Sequence, residues 1–231
     1  MSQSKVLPAI PHESIRFLKL LKKNNNREWF NAHKEAFLTV QQTIELFADA
    51  LLAELNRHDV IETPSGKKSL GRIYRDTRFS GDKTPYKTGW NGHFRRATQY
   101  RRGGYYFHIE PDNNSFIAGG FWGPAAEDMK RIRDDIAFDP SPLRKILKSR
   151  SFITTFGALQ GEQLKKMPRG YDADNQAGDL LRYKQFLLIR KFTDEEITSP
   201  SFFANASRTF KQMRPFFDYM SEVLTTDTNG A

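Results

Sequence analysis

Apolar positions recur at helical spacing towards both ends of the chain and at alternating spacing in its middle. Near the start, Ile15, Leu18 and Leu21, with Phe17 and Leu20, make one helical face that ends near Lys23, and Pro11 suits a first turn. Asn24-Asn25-Asn26 breaks that pattern, because asparagine competes for backbone hydrogen bonds and favours turns and caps. Asn26 then caps a second helix running to about Arg57, with Glu28 in its first turn where the helix dipole favours an acid. Its apolar side is Phe30, Phe37, Val40, Ile44, Phe47, Leu51 and Leu55.

After Pro64-Ser65-Gly66 the runs shorten and alternate. Strands are expected over 72–77, 92–97, 105–110 and 116–121, the last two joined as a hairpin around Pro111-Asp112-Asn113-Asn114. Gly119-Gly120 signals a bulge or a close backbone approach. Gly123-Pro124 opens a helix to about Phe138, and Pro140 or Pro142 opens another through Leu143, Ile146 and Leu147. A strand over 162–167, a short helix over 176–183 and a central strand over 185–192 (QFLLIRKF) follow. A last helix, 201–224, places Phe203, Phe210, Phe217 and Leu224 seven apart. Helices at both ends around a run of strands predict an α+β fold, with a mixed or antiparallel sheet of five or six strands. No repeat or linker interrupts it, so one domain is expected over 11–224, with loose tails at 1–10 and 225–231.

Composition adds that 19 Phe, 8 Tyr and 3 Trp in 231 residues supply a core, and that no cysteine is present for disulfides or thiolate metal sites. No apolar run approaches the roughly 20 residues of a membrane span, and the start lacks an apolar signal region. The cytoplasm is the expected compartment, with no membrane partner.

Charge changes the picture more. Residues 67–102 hold eleven Lys or Arg and two acids, 11 − 2 = +9, which equals the net charge of the whole chain. The remainder balances. A neutral body with one cationic insert points to an anionic partner.

The run GRIYRDTRFSGDKTPYKT (71–88), with NNREWF (25–30), YYFHIEP (105–111), PRGYD (168–172) and LRYK (181–184), resembles the uncharacterised domain-of-unknown-function family 2461 over roughly residues 13–224. The resemblance implies a single-domain cytoplasmic protein and supplies no reaction, cofactor or catalytic residue.

The residues themselves support three readings. In the first, Arg72, Arg75, Arg78, Lys83 and Lys87 bind a small anionic, phosphorylated ligand, with Arg169 and Arg182 as additions. On a strand over 72–77, Arg75 shares the inward face with Ile73, so its guanidinium must meet a carboxylate or a bound anion. Asp82 is expected to cap a helical turn that brings Lys83 and Lys87 together. In the second reading the anion is a nucleic acid. Tyr74, Phe79, Tyr86, Trp90, Phe94, Tyr100, Tyr105 and Tyr106 interleave with the bases as stacking partners, and the pairs Lys67-Lys68, Arg95-Arg96 and Arg101-Arg102 follow the phosphates. No RNP, helix-turn-helix or zinc-finger spacing accompanies them. In the third, a hydrolase or transferase acts on a phosphorylated substrate, with His108, Glu110 or Asp76 moving the proton. His108 and Glu110 lie two apart and share a strand face, an arrangement that a hydrogen-bonded structural histidine explains more simply. Asp76, beside arginines, reads as an ion-pair partner. Five histidines without ligand spacing give no metal site, and no cofactor is expected.

Overall fold

Trp90–Arg95 (β1), Gly104–Ile109 (β2), Ser115–Phe121 (β3) and Phe186–Phe192 (β4) make one open antiparallel sheet in the order β1-β2-β3-β4. The structure is a computed structural model that describes residues 9–97 and 101–226. Residues 1–8 and 227–231 of the expected tails, and Tyr100 among the aromatics, lie outside the described residues. Ile10 lies within them and is fully buried. The chain divides into two compact units, one built from residues up to Phe94 with Tyr106–Ile117 and Lys191–Arg208, the other from Arg95–Tyr105, Ala118–Arg190 and the segment from Thr209.

In the first unit, His12–Lys23 (α1), Arg27–Ala32 (α2) and Lys34–Leu55 (α3) follow the predicted apolar faces, and Gly66–Ser69 (α4) adds one turn against α3. The Asn26 side chain caps α2 by accepting from the Trp29 N–H at 2.9 Å, as expected. The single long helix predicted from Asn26 is instead divided at His33. That ring stacks on Trp29 at 4.1 Å, and its Nδ1 lies 2.8 Å from the Trp29 carbonyl oxygen. Phe47 of α3 stacks on Phe202 (5.4 Å) and meets Phe107 of β2 edge-on (5.8 Å, 84°). Rings of this size, fully buried, contribute about 1.5–3 kcal/mol each. Asp194–Thr198 (α9) opens with a reciprocal capping box between Thr193 and Glu196.

In the second unit, Ala126–Phe138 (α5), Ser141–Leu147 (α6), Arg150–Phe156 (α7) and Gly178–Leu181 (α8) precede β4, and Arg214–Thr225 (α11) packs on α5 and α6. Tyr105 sits edge-on to Phe210 and Phe217 at 5.2 and 5.0 Å. The helix expected over 201–224 forms as Phe202–Gln212 (α10) and α11, divided at Met213 ahead of Pro215, whose missing N–H ends an i→i−4 ladder.

Among the described residues the sheet has four strands, so five or six is not confirmed, and each expected strand that does not form has a local cause. Around 72–77 only isolated bridges form, Leu70 opposite Gly92 and Tyr74 opposite Tyr86. Four residues on one side span six on the other, so no continuous ladder can run. Around 162–167, bridges Gln160–Leu187 and Gln163–Tyr183 are interrupted by Gly161 at φ +139°. This segment lies along β4, an end strand rather than the central one expected. Gln160 and Leu187 exchange two 2.9 Å backbone bonds there. The hairpin at 111–114 is correct. Asp112 and Asn113 both take positive φ (68° and 62°), as a tight two-residue turn requires.

Candidate functional site

The 71–88 segment folds back on itself. Arg75 N–H donates to Pro85 O (2.9 Å) and Lys87 N–H to Ile73 O (2.7 Å), making a short stem closed by a tip over 76–84. The stem is fixed from α1–α2. Asn25 Nδ2 donates to Tyr86 O (2.9 Å), its Oδ1 accepts from Tyr86 N–H (3.1 Å), and Phe30 stacks on the buried Tyr86 ring at 4.0 Å. Ile73 is buried and Arg75 half-buried while Arg72, Tyr74 and Asp76 face out, so the predicted alternation holds without a full strand.

Of the carboxylate or bound anion that Arg75 was expected to meet, it finds the carboxylate: it pairs with Asp82 and donates to Thr84 Oγ1 at 2.8 Å. Asp82 does not open a helical turn. Its Oδ1 accepts the N–H and hydroxyl of Thr84 at 2.9 and 2.8 Å, closing a local turn. Those bonds, the Thr84 backbone N–H first and Arg75 after them, hold the Asp82 carboxyl down at about 2. Asp76 accepts from Arg78 Nη2 at 2.6 Å and Nε at 3.0 Å, which lowers its pKa and keeps it an ion-pair partner. Lys83 donates to Thr77 O at 2.9 Å. Arg72 and Lys87 make no side-chain bond among the described residues. At the tip, Phe79 is 94% exposed with the Arg78 guanidinium 5.9 Å from its ring centre, and Tyr74 is 61% exposed.

Below the stem, Thr88 donates to Glu110 Oε1 at 2.6 Å, and His108 Nε2 lies 2.9 Å from Glu110 Oε2. The His108 bond leads the effects that lower the Glu110 pKa, against its own burial. An ionised Glu110 requires the proton on Nε2, leaving Nδ1 as the free nitrogen. That atom is buried, with no hydrogen-bond partner among the described residues, and the ring lies against Phe116 at 5.1 Å. A carboxylate-oriented imidazole is the arrangement of a general base. Here the free nitrogen faces the interior, as in a structural histidine. Among the described residues no group of three or more His, Asp or Glu can hold a metal ion, and no helix is long and apolar enough to cross a membrane.

The flanking bases divide. Lys67 and Lys68 lie exposed on α4, Lys67 at 3.8 Å from Glu45. Arg96, expected to follow the phosphates in the nucleic-acid reading, is buried with 1% of its side chain exposed. It pairs with Asp218 at 3.1 Å, donates to Arg102 O at 2.8 Å and to Ser221 Oγ at 3.1 Å, and lies 5.1 Å from the Phe217 ring centre. Arg102 pairs with Asp128. Among the expected stacking aromatics, Tyr86, Trp90, Phe94 and Tyr105 are buried core and Tyr106 is half-buried. Arg169 and Arg182 belong to the second unit, and Arg169 is exposed in a turn where Gly170 takes φ +88°.

Three of the segments that suggested a family thus converge through Asn25–Tyr86 and Thr88–Glu110. The family model described as Conserved hypothetical protein (DUF2461) matches residues 13–219. The chain belongs to that family. No curated protein and no solved structure matches it. In this DUF2461 chain, Asn25 and Thr88 were not foreseen as site residues. Their partners lie 61 and 22 positions away, beyond any periodicity.

Proposed function

We propose that the protein binds a phosphate-bearing ligand on the 71–88 loop, and that this ligand is a single strand of nucleic acid. One observation carries the reading: a tip whose arginines are held by its own carboxylates presents Phe79 almost fully to solvent. A ring this exposed on a braced loop costs apolar exposure that base stacking would recover. Arg72, Lys83 and Lys87 of the same loop supply phosphate contacts, and Tyr74 a second ring.

A compact phosphorylated metabolite fits less well. It requires convergent guanidinium groups, whereas Arg75 and Arg78 are engaged within the loop. An anionic membrane surface also fits less well, because interfacial binding grows with inserted apolar area, and the tip carries one apolar side chain between Asp76 and Asp82.

The test is fluorescence anisotropy with a labelled 12-nucleotide oligothymidine. Three contacts through Arg72, Lys83 and Lys87 predict a log–log salt slope of about −2, reduced by about 0.7 for Arg72→Ala or Lys87→Ala. No binding at low salt, or binding to anionic lipid vesicles in place of the oligonucleotide, refutes the reading.

A further inference from the structure

A cleft of about 620 Å3 lies wholly within the second unit, a size typical of small-molecule sites. Helix α5 lines it with Met129, Lys130, Arg133 and Asp134, and the 164–171 segment and Lys184 close the other side. The half-buried Arg133 guanidinium is fixed by two carbonyls, Leu181 O to Nε and Tyr183 O to Nη2, each at 3.0 Å. Its Nη1 has no partner among the described residues. Tyr171 donates its hydroxyl to Asp134 at 2.8 Å; burial first and that carboxylate second push its pKa up to about 12, so it stays a neutral group at the cleft wall. Arg169, in the turn between Pro168 and Gly170, lines the cleft without an ion pair or hydrogen bond among the described residues.

The charges leave an excess. Lys130, Arg133, Arg169 and Lys184 are opposed by Asp134 and by Glu162, which holds Lys184 at 2.6 Å, giving 4 − 2 = +2. Both ion pairs are solvent-exposed, so an incoming anion can exchange with them. Pro124, Met129 and Leu164 add apolar wall. A phosphate monoester carries about −1.5 to −2 charge near neutral pH, which matches the excess, and an apolar body attached to it matches the wall.

We propose that this cleft binds a small phosphate monoester with an apolar or aromatic body, independently of the 71–88 loop. The probe is phenyl phosphate, titrated calorimetrically into the full chain, with inorganic phosphate in parallel. One site per chain is expected, tighter for phenyl phosphate than for phosphate. Arg169→Gln should weaken it about tenfold or more, since it removes a charge-assisted contact, and Arg169→Glu should abolish it. Arg169 is exposed and unpaired among the described residues, so both variants should unfold as the wild type does. Arg72→Ala and Lys87→Ala should leave the affinity unchanged. No saturable binding, equal affinity in Arg169→Glu, or loss only in the loop variants overturns the proposal.

Discussion

Asn25 holds the 71–88 stem through both halves of its amide, and replacing it leaves the Tyr86 N–H and carbonyl without those partners. Asn25→Ala should therefore lower unfolding free energy by about 1–3 kcal/mol, read from the shift in urea midpoint at unchanged slope. Asp82 makes a pH prediction. Its folded pKa of about 2 lies below the unfolded value near 3.9, so its contribution is present above about pH 4 and lost as pH falls towards 2. A carboxyl-carbon NMR titration should place its midpoint near 2; a midpoint near 4 would show that the Thr84 and Arg75 bonds are not made in solution. Glu110 shifts in the same direction, through His108. At this scale the sequence was partly readable. Alternation showed that Arg75 needed a carboxylate or a bound anion, and the spacing of His108 and Glu110 showed their shared face. Asn25 was hidden, because a residue that breaks one helix carries no local sign of a partner far along the chain. Arg96 was hidden too: its neighbours in sequence are polar and basic, while its burial comes from α11.

Among the elements, helices α1, α5 and α6 and the β2–β3 hairpin were legible from periodicity and turn residues. The divisions at His33 and Pro215 were not, since an apolar stripe continues across both. Thr193-x-x-Glu196 was a readable capping signal for α9 that the apolar pattern, being only a few residues long, did not reveal. The Gly119-Gly120 signal proves to be a close approach. At Gly119 an added Cβ would press on Met213 and Phe217, and at Gly120, with φ +134°, on the Phe186 carbonyl of β4. Gly120→Ala combines backbone strain with a clash against a backbone atom that cannot rotate away. It should cost about 2–5 kcal/mol, measured by thermal or urea unfolding. Gly123, with open space around it, is the matched control: Gly123→Ala should change stability by no more than about 1 kcal/mol.

For the whole molecule, the +9 charge that looks like one patch in the sequence resolves into parts. Arg96 and Arg102 serve the interior and its ion pairs, Arg75 and Arg78 stiffen the loop, and Arg72, Lys83 and Lys87 are the loop bases without an ion pair among the described residues. Net charge could indicate an anionic partner, but only the pairing of each base shows which of them can reach it. Stacking of a nucleobase on Phe79 at the loop tip, as proposed, is tested most directly at Phe79 itself, because a side chain so exposed can be changed without disturbing the fold. Oligothymidine affinity should fall about 5- to 150-fold in Phe79→Ala, as expected for the loss of one stacked base, and be kept in Phe79→Trp. Equal affinity of wild type and Phe79→Ala, at matched salt and with both proteins folded, would rule out base stacking at the tip.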